Sequence, residues 1–117
     1  MVEESFNAAH QLKGYEGPCE RLHGHTWKVE VHVSGEKQDK IGIIYDFKKM
    51  RGLLKGVLED FDHNNLNDIA YFKGMNPTSE NIAKVIYGRL KKGIGGGVNL
   101  SKVTVYESPT SSASYYE

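Results

Sequence analysis

The chain has 117 residues, with 15 Lys and Arg balanced by 15 Asp and Glu, five His and one Cys. This length suffices for one small domain, and the zero net charge argues against a generic nucleic-acid or anionic-membrane binder, both of which need excess Lys and Arg. No apolar run approaches the roughly 20 residues of a membrane span, and the start at Met1–Phe6, with Glu3 and Glu4, lacks the marks of a secretion signal, so a cytoplasmic, reducing setting is expected.

Val2–Leu12 reads as a strand, because Phe6, Ala8 and His10 share one face at a period of two. A loop carrying Gly14, Gly17, Pro18 and Cys19 follows. Trp27, Val29, Val31 and Val33 then alternate with polar residues, which predicts a half-buried strand. Extended backwards, the same face includes His25 and His23, whereas His32 points the other way, to solvent. The run Ile41–Tyr45 suggests a further strand or the return limb of a hairpin. Asp46 suits the N-cap of a helix whose apolar stripe is Phe47, Met50, Leu53, Leu54, Val57, Leu58 and Phe61. The polar stretch Asp62–Asn76 is expected to be loop. A second helix starts near Thr78, after Pro77, with Ile82, Ala83, Val85, Ile86 and Leu90 inward.

The glycine-rich run Gly93–Gly97 lacks phosphate-loop spacing and reads as a turn. Val103, Val105 and Glu107 share a face of the last substantial strand, and Ala113–Tyr116 suits a short terminal one. This order, β-β-α-α-β-β, predicts a single α+β domain over residues 1–117, a four-stranded antiparallel sheet with two helices on one face.

His23 and His25, two apart on a strand, project from one face, and His10 joins them if the two strands are antiparallel neighbours. Three neutral imidazoles with no fourth protein ligand suit an open zinc site better than a closed structural one. The same residues also suit a turn at a strand start and an ordinary strand histidine. Cys19, four residues before His23, is either a packed small hydrophobe or a thiol activated by a nearby cation. Asp62 and His63 form either a carboxylate–imidazole proton relay or a helix C-terminus with a dipole-matched His. Glu107, in phase with Val103 and Val105, either faces inward and needs N–H donors or ends a frayed strand in water.

Together the segments Phe6–His10, Cys19–His25 (Cys-Glu-Arg-Leu-His-Gly-His), Tyr45–Phe47, Phe61–Asn67, Pro77–Glu80 and Val105–Glu107 resemble the 6-pyruvoyl- and 6-carboxy-tetrahydropterin synthase family, in its order and over nearly the whole chain. The resemblance implies the tunnelling fold, an oligomeric barrel, usually a hexamer of two trimers, with active sites between subunits. It implies His10, His23 and His25 as zinc ligands and Cys19 as the proton-abstracting residue. Asp62 and His63 match the relay, supplied by a neighbouring subunit. Glu107 matches the acid that anchors the pterin ring, and Thr78 and Ser79 match the ring-contacting pair.

The implied substrate is 7,8-dihydroneopterin triphosphate. In the carboxy branch, which feeds queuosine and other deazapurines, it becomes 6-carboxytetrahydropterin with release of acetaldehyde and triphosphate. In the pyruvoyl branch its carbons are retained. Glu20 stands where some relatives carry a Glu and cleave the side chain to a 6-hydroxymethyl-pterin for folate synthesis, or it is a solvated loop acid. The compact chain, without an N-terminal extension, favours the prokaryotic carboxy branch. A non-catalytic pterin binder on the same scaffold is the non-enzymatic alternative.

Overall fold

The computed structural model describes residues 1–17 and 21–117, so Cys19 and Glu20 lie outside the described residues. Strand β1 (Val2–His10) pairs antiparallel with β2 (His23–Ser34) in a register that sets Phe6 opposite Trp27, Ala8 opposite His25 and His10 opposite His23. Helix α1 (Phe47–Leu58) and helix α2 (Ser79–Ile94) cover one face of the sheet. Between them lies a two-residue strand, β3 (Asn64–Asn65), which pairs parallel with Ala8 and Ala9 of β1. The chain then closes with β4 (Asn99–Ser108) and β5 (Ser111–Tyr115), giving a five-stranded mixed sheet of order β3-β1-β2-β4-β5.

The alternation in the sequence has a direct structural outcome. Val2, Phe6, Ala8 and His10 of β1, Trp27, Val29 and Val31 of β2, and Val103 and Val105 of β4 all turn under the helices and are buried. Phe6 stacks on Trp27 with centroids 5.9 Å apart, and Phe61 wedges between Phe6 and Phe72, 5.7 Å from each. Glu4 shares this face yet stays paired, its carboxylate 3.4 Å from Arg51 and 3.8 Å from Lys55 on α1.

The helices begin where their caps predict. Asp46 accepts from the Lys48 N–H at 2.9 Å, and Thr78 accepts from the Asn81 N–H at 3.1 Å. Both apolar stripes need revision. Phe47 opens α1 but is 62% exposed, while Phe61 lies past the end of α1 and is fully buried. In α2, Tyr87 is buried where Val85 is only half-buried, its hydroxyl donating to the Leu100 carbonyl.

The run Ile41–Tyr45 forms no strand. The Asp39 carboxylate accepts from the N–H groups of Ile41 and Ile43, 2.9 Å each, and winds this segment into a tight turn in place of a ladder. Asp62–Asn76 likewise departs from plain loop, since it contains β3 and two 3-10 turns, Leu66–Asp68 and Ala70–Phe72. Leu66 and Phe72 anchor those turns in the core. His32 does lie on the helix-free face, but it is half-buried, with Nε2 3.6 Å from the Glu30 carboxylate.

No helix of the described residues is long and apolar enough to cross a membrane.

Candidate metal centre and active site

The β1–β2 register that sets His10 opposite His23 gathers three imidazoles at one end of the sheet. The β2–β4 register places Tyr106 opposite Lys28, so the next residue, Glu107, arrives beside them. One ligand atom each from His10, His23, His25 and Glu107 all lie within 4.8 Å of one another. The expected trio is therefore joined by a carboxylate. Its inward phase is legible in the sequence, but its approach to the imidazoles depends on the pairing of β2 with β4.

The floor of this cluster is Trp27. Its ring lies edge-on to His10 and His25, 4.8 and 5.3 Å away, and its indole N–H donates to the Ala8 carbonyl at 3.2 Å. His10 is 1% exposed, and His25 and Glu107 are half-buried.

Proton accounting shows what the cluster can hold. The His10 Nδ1–H donates to the Pro77 carbonyl at 2.8 Å, and the His23 Nδ1–H donates to the Arg21 carbonyl at 2.6 Å. In both neutral rings Nε2 therefore presents a lone pair, and these two atoms face each other at 3.0 Å. The Glu107 carboxylate adds its own oxygen 3.1 Å from His10 Nε2 and 3.3 Å from His25 Nε2. His25 Nε2 is buried without a hydrogen-bond partner. Burial also pushes the pKa of His10 and of His25 below its usual value, so protons are poorly suited to fill the gap. A cation shared by these acceptors resolves the repulsion, and carbonyl-anchored imidazoles are the usual outer-shell arrangement of a metal site. The donor set, nitrogen with one carboxylate oxygen, fits a borderline-soft divalent ion.

The whole chain, residues 1–117, matches the family model described as 6-pyruvoyl tetrahydropterin synthase. The chain belongs to this family. A dihydroneopterin monophosphate aldolase of Pyrococcus furiosus is 44% identical over 107 residues, covering 92% of this chain and 87% of that protein. A 6-carboxy-5,6,7,8-tetrahydropterin synthase of Synechocystis is 37% identical over 119 residues, covering 97% and 89%. Among solved structures, the 6-pyruvoyl tetrahydropterin synthase of Caenorhabditis elegans superposes with a TM-score of 0.86 at 32% identity, covering 99% of this chain and 92% of that one. The tunnelling fold is thereby established for this chain, with the two-residue β3 added to the expected four strands.

The remaining candidate residues fall in two places. Thr78 and Ser79 are half-buried at the start of α2, directly after Pro77, whose carbonyl holds His10. Asp62 and His63 do form a pair, with His63 Nδ1 3.1 Å from Asp62 Oδ2, but they sit at the outer edge of β1 and outside the cluster. There Asp62 accepts from the Asn7 N–H at 2.8 Å and the His63 N–H donates to the Asn7 carbonyl at 2.6 Å. These bonds hold the Asp62 carboxyl below the usual carboxylate range, the Asn7 N–H being the main cause. His63 has φ +60, a left-handed conformation uncommon for a residue with a Cβ, and its side chain is 78% exposed. Asn7 was not singled out by the sequence pattern, because its part is played through main-chain groups.

Proposed function

We propose that this chain is a zinc-dependent 6-carboxy-5,6,7,8-tetrahydropterin synthase, a lyase that converts 7,8-dihydroneopterin triphosphate to 6-carboxytetrahydropterin with release of acetaldehyde and triphosphate, on the route to queuosine and other deazapurines. The observation that carries the reading is the convergence of three imidazoles and Glu107 in a chain of this family. His10, His23 and His25 would hold the zinc. When bound, zinc supplies the Lewis acidity that lowers the cost of deprotonating the substrate's side-chain hydroxyls.

The chain's own groups divide the remaining work. Glu107, at the rim of the cluster, accepts N–H bonds from the pterin ring and fixes the ring against the metal centre. Thr78 and Ser79, at the start of α2 directly after the Pro77 carbonyl that holds His10, contact the ring. Cys19 as a thiolate removes a side-chain proton, and His63, oriented by Asp62, moves protons on the other side of the substrate. The exposure of His63 and its place on the sheet edge support its delivery to a neighbouring subunit's site in a homohexamer built as a dimer of trimers.

One specific observation favours a second reading. The 44% identity to an aldolase, in a chain that carries Glu20 beside Cys19, supports cleavage of the side chain to 6-hydroxymethyl-dihydropterin. Mass spectrometry of the products formed by the zinc-loaded protein from dihydroneopterin triphosphate and from its monophosphate separates the two. A carboxylated product supports the synthase and a hydroxymethyl product the aldolase. Tight pterin binding without conversion of either compound would overturn both and leave a binding protein.

A further inference from the structure

Between the end of β1 and the start of α2 lies a cavity of about 450 Å³, within the range of small-molecule sites, with Lys13, Lys73, Asn67 and Asn76 around a floor that includes the buried Phe72. Its walls are held in place independently of any ligand. The Asn76 carboxamide accepts from the Lys13 N–H and donates to the Lys13 carbonyl, both at 2.9 Å. Asn67 does the same for Gln11, at 2.8 and 3.0 Å. Two side-chain amides thus continue the hydrogen-bond ladder of β1 beyond His10 and fasten the main chain that bears Lys13. On the opposite lip, Lys73 rides on a turn closed by the Met75 N–H to the Phe72 carbonyl at 3.0 Å, with Gly74 at φ +81, where a Cβ would be strained.

Among the described residues two lysines line this cavity and no Asp or Glu does. Among the described residues the Lys and Arg ion pairs engage Lys28, Arg51, Lys55, Arg89 and Lys91, and neither Lys13 nor Lys73. The cavity is tied to the metal centre through the chain, since Lys13 lies three residues past His10 and Asn76 precedes Pro77, the acceptor of His10 Nδ1–H. Two preplaced point charges over such a volume suit a flexible anion of several charges, and Lys is a common phosphate binder.

We infer that this cavity receives the phosphate-ester end of the substrate, with Lys13 and Lys73 as its binding residues. The inference rests on the proposed pterin chemistry for the identity of the ester, but the anion site itself has a separate readout. Calorimetry with inorganic tripolyphosphate on the zinc-loaded full chain is expected to show binding that weakens roughly tenfold in Lys13→Ala and again in Lys73→Ala, and not in the remote Lys48→Ala. In parallel, the ratio of the affinity for dihydroneopterin triphosphate to that for unphosphorylated dihydroneopterin is expected to fall roughly a hundredfold in the double variant. Unchanged tripolyphosphate affinity in the lysine variants overturns the site. Weakened tripolyphosphate binding with an unchanged substrate ratio shows a site for free polyanions and overturns the assignment to substrate. If the wild-type protein converts no pterin but binds tripolyphosphate through these lysines, the pterin reading and the ester assignment fall while the anion site stands.

Discussion

His10 Nε2 and His23 Nε2 face each other at 3.0 Å with both Nδ1–H groups committed to main-chain carbonyls, so two lone pairs are held in contact by the fold itself. A cation shared between them would relieve that repulsion. We expect metal analysis to find about one zinc per chain and chelation to lower the melting temperature. His10→Ala is expected to purify without the metal, and a variant that keeps a full complement of zinc would show that the ion is held elsewhere.

The pH dependence of the metal-free protein follows from the same imidazoles. Burial lowers the pKa of His10 and His25 in the folded state relative to the ordinary value of 6.5. The folded state therefore binds fewer protons than the unfolded chain below that value, and stability falls as the pH drops through about 6.5 towards the folded-state pKa. Denaturant melts of the chelated protein should be flat between pH 7 and 8 and decline below 6.5, with a shallower decline in His10→Gln. An equal decline in that variant would place the titrating groups elsewhere.

Glu107 offers the metal centre an oxygen, yet the proposed chemistry gives that carboxylate to the pterin ring. Glu107→Ala separates the two roles. Zinc content close to that of the wild type, with pterin affinity weakened roughly tenfold to a hundredfold, is the expected result. Loss of zinc in this variant would make Glu107 a ligand.

The Asp62–His63 pair is displaced to the sheet edge, and this yields a test that needs no structure of the assembly. His63→Ala and Cys19→Ala are each expected to lose turnover while keeping metal. Mixed and allowed to exchange subunits, they should regain activity, because some sites would then combine an intact Cys19 with an intact His63. Persistent inactivity after verified exchange would place both residues in one chain's own site.

Much of this architecture is legible from local pattern. The alternation through Trp27, Val29 and Val31 places the strand and its inner face, and Asp46 and Thr78 mark the helix starts. The in-phase histidines are legible for the same reason, since strand phase decides where they point. Departures arise where a side chain overrides the apolar pattern or where long-range pairing decides. Asp39 captures two main-chain N–H groups and turns Ile41–Tyr45 away from a ladder. Asn64 and Asn65 become a strand only because β1 offers them an edge, and Glu107 meets the imidazoles through the Lys28–Tyr106 register, which pairs strands far apart in sequence. Lys13 and Lys73 join one cavity through two asparagines whose amide bonds have no periodic signature.

The three imidazoles also join position 10, at the end of the first strand, to positions 23 and 25, at the start of the second. An ion held by them would cross-link β1 and β2 across the intervening loop, and a link closing roughly 15 residues removes about 3 kcal/mol of conformational freedom from the unfolded chain in the loop-closure picture. A protein with one cysteine, which has no internal disulfide available, would thus gain a reversible staple in its place. Its resistance to unfolding would then track the supply of free metal as well as temperature.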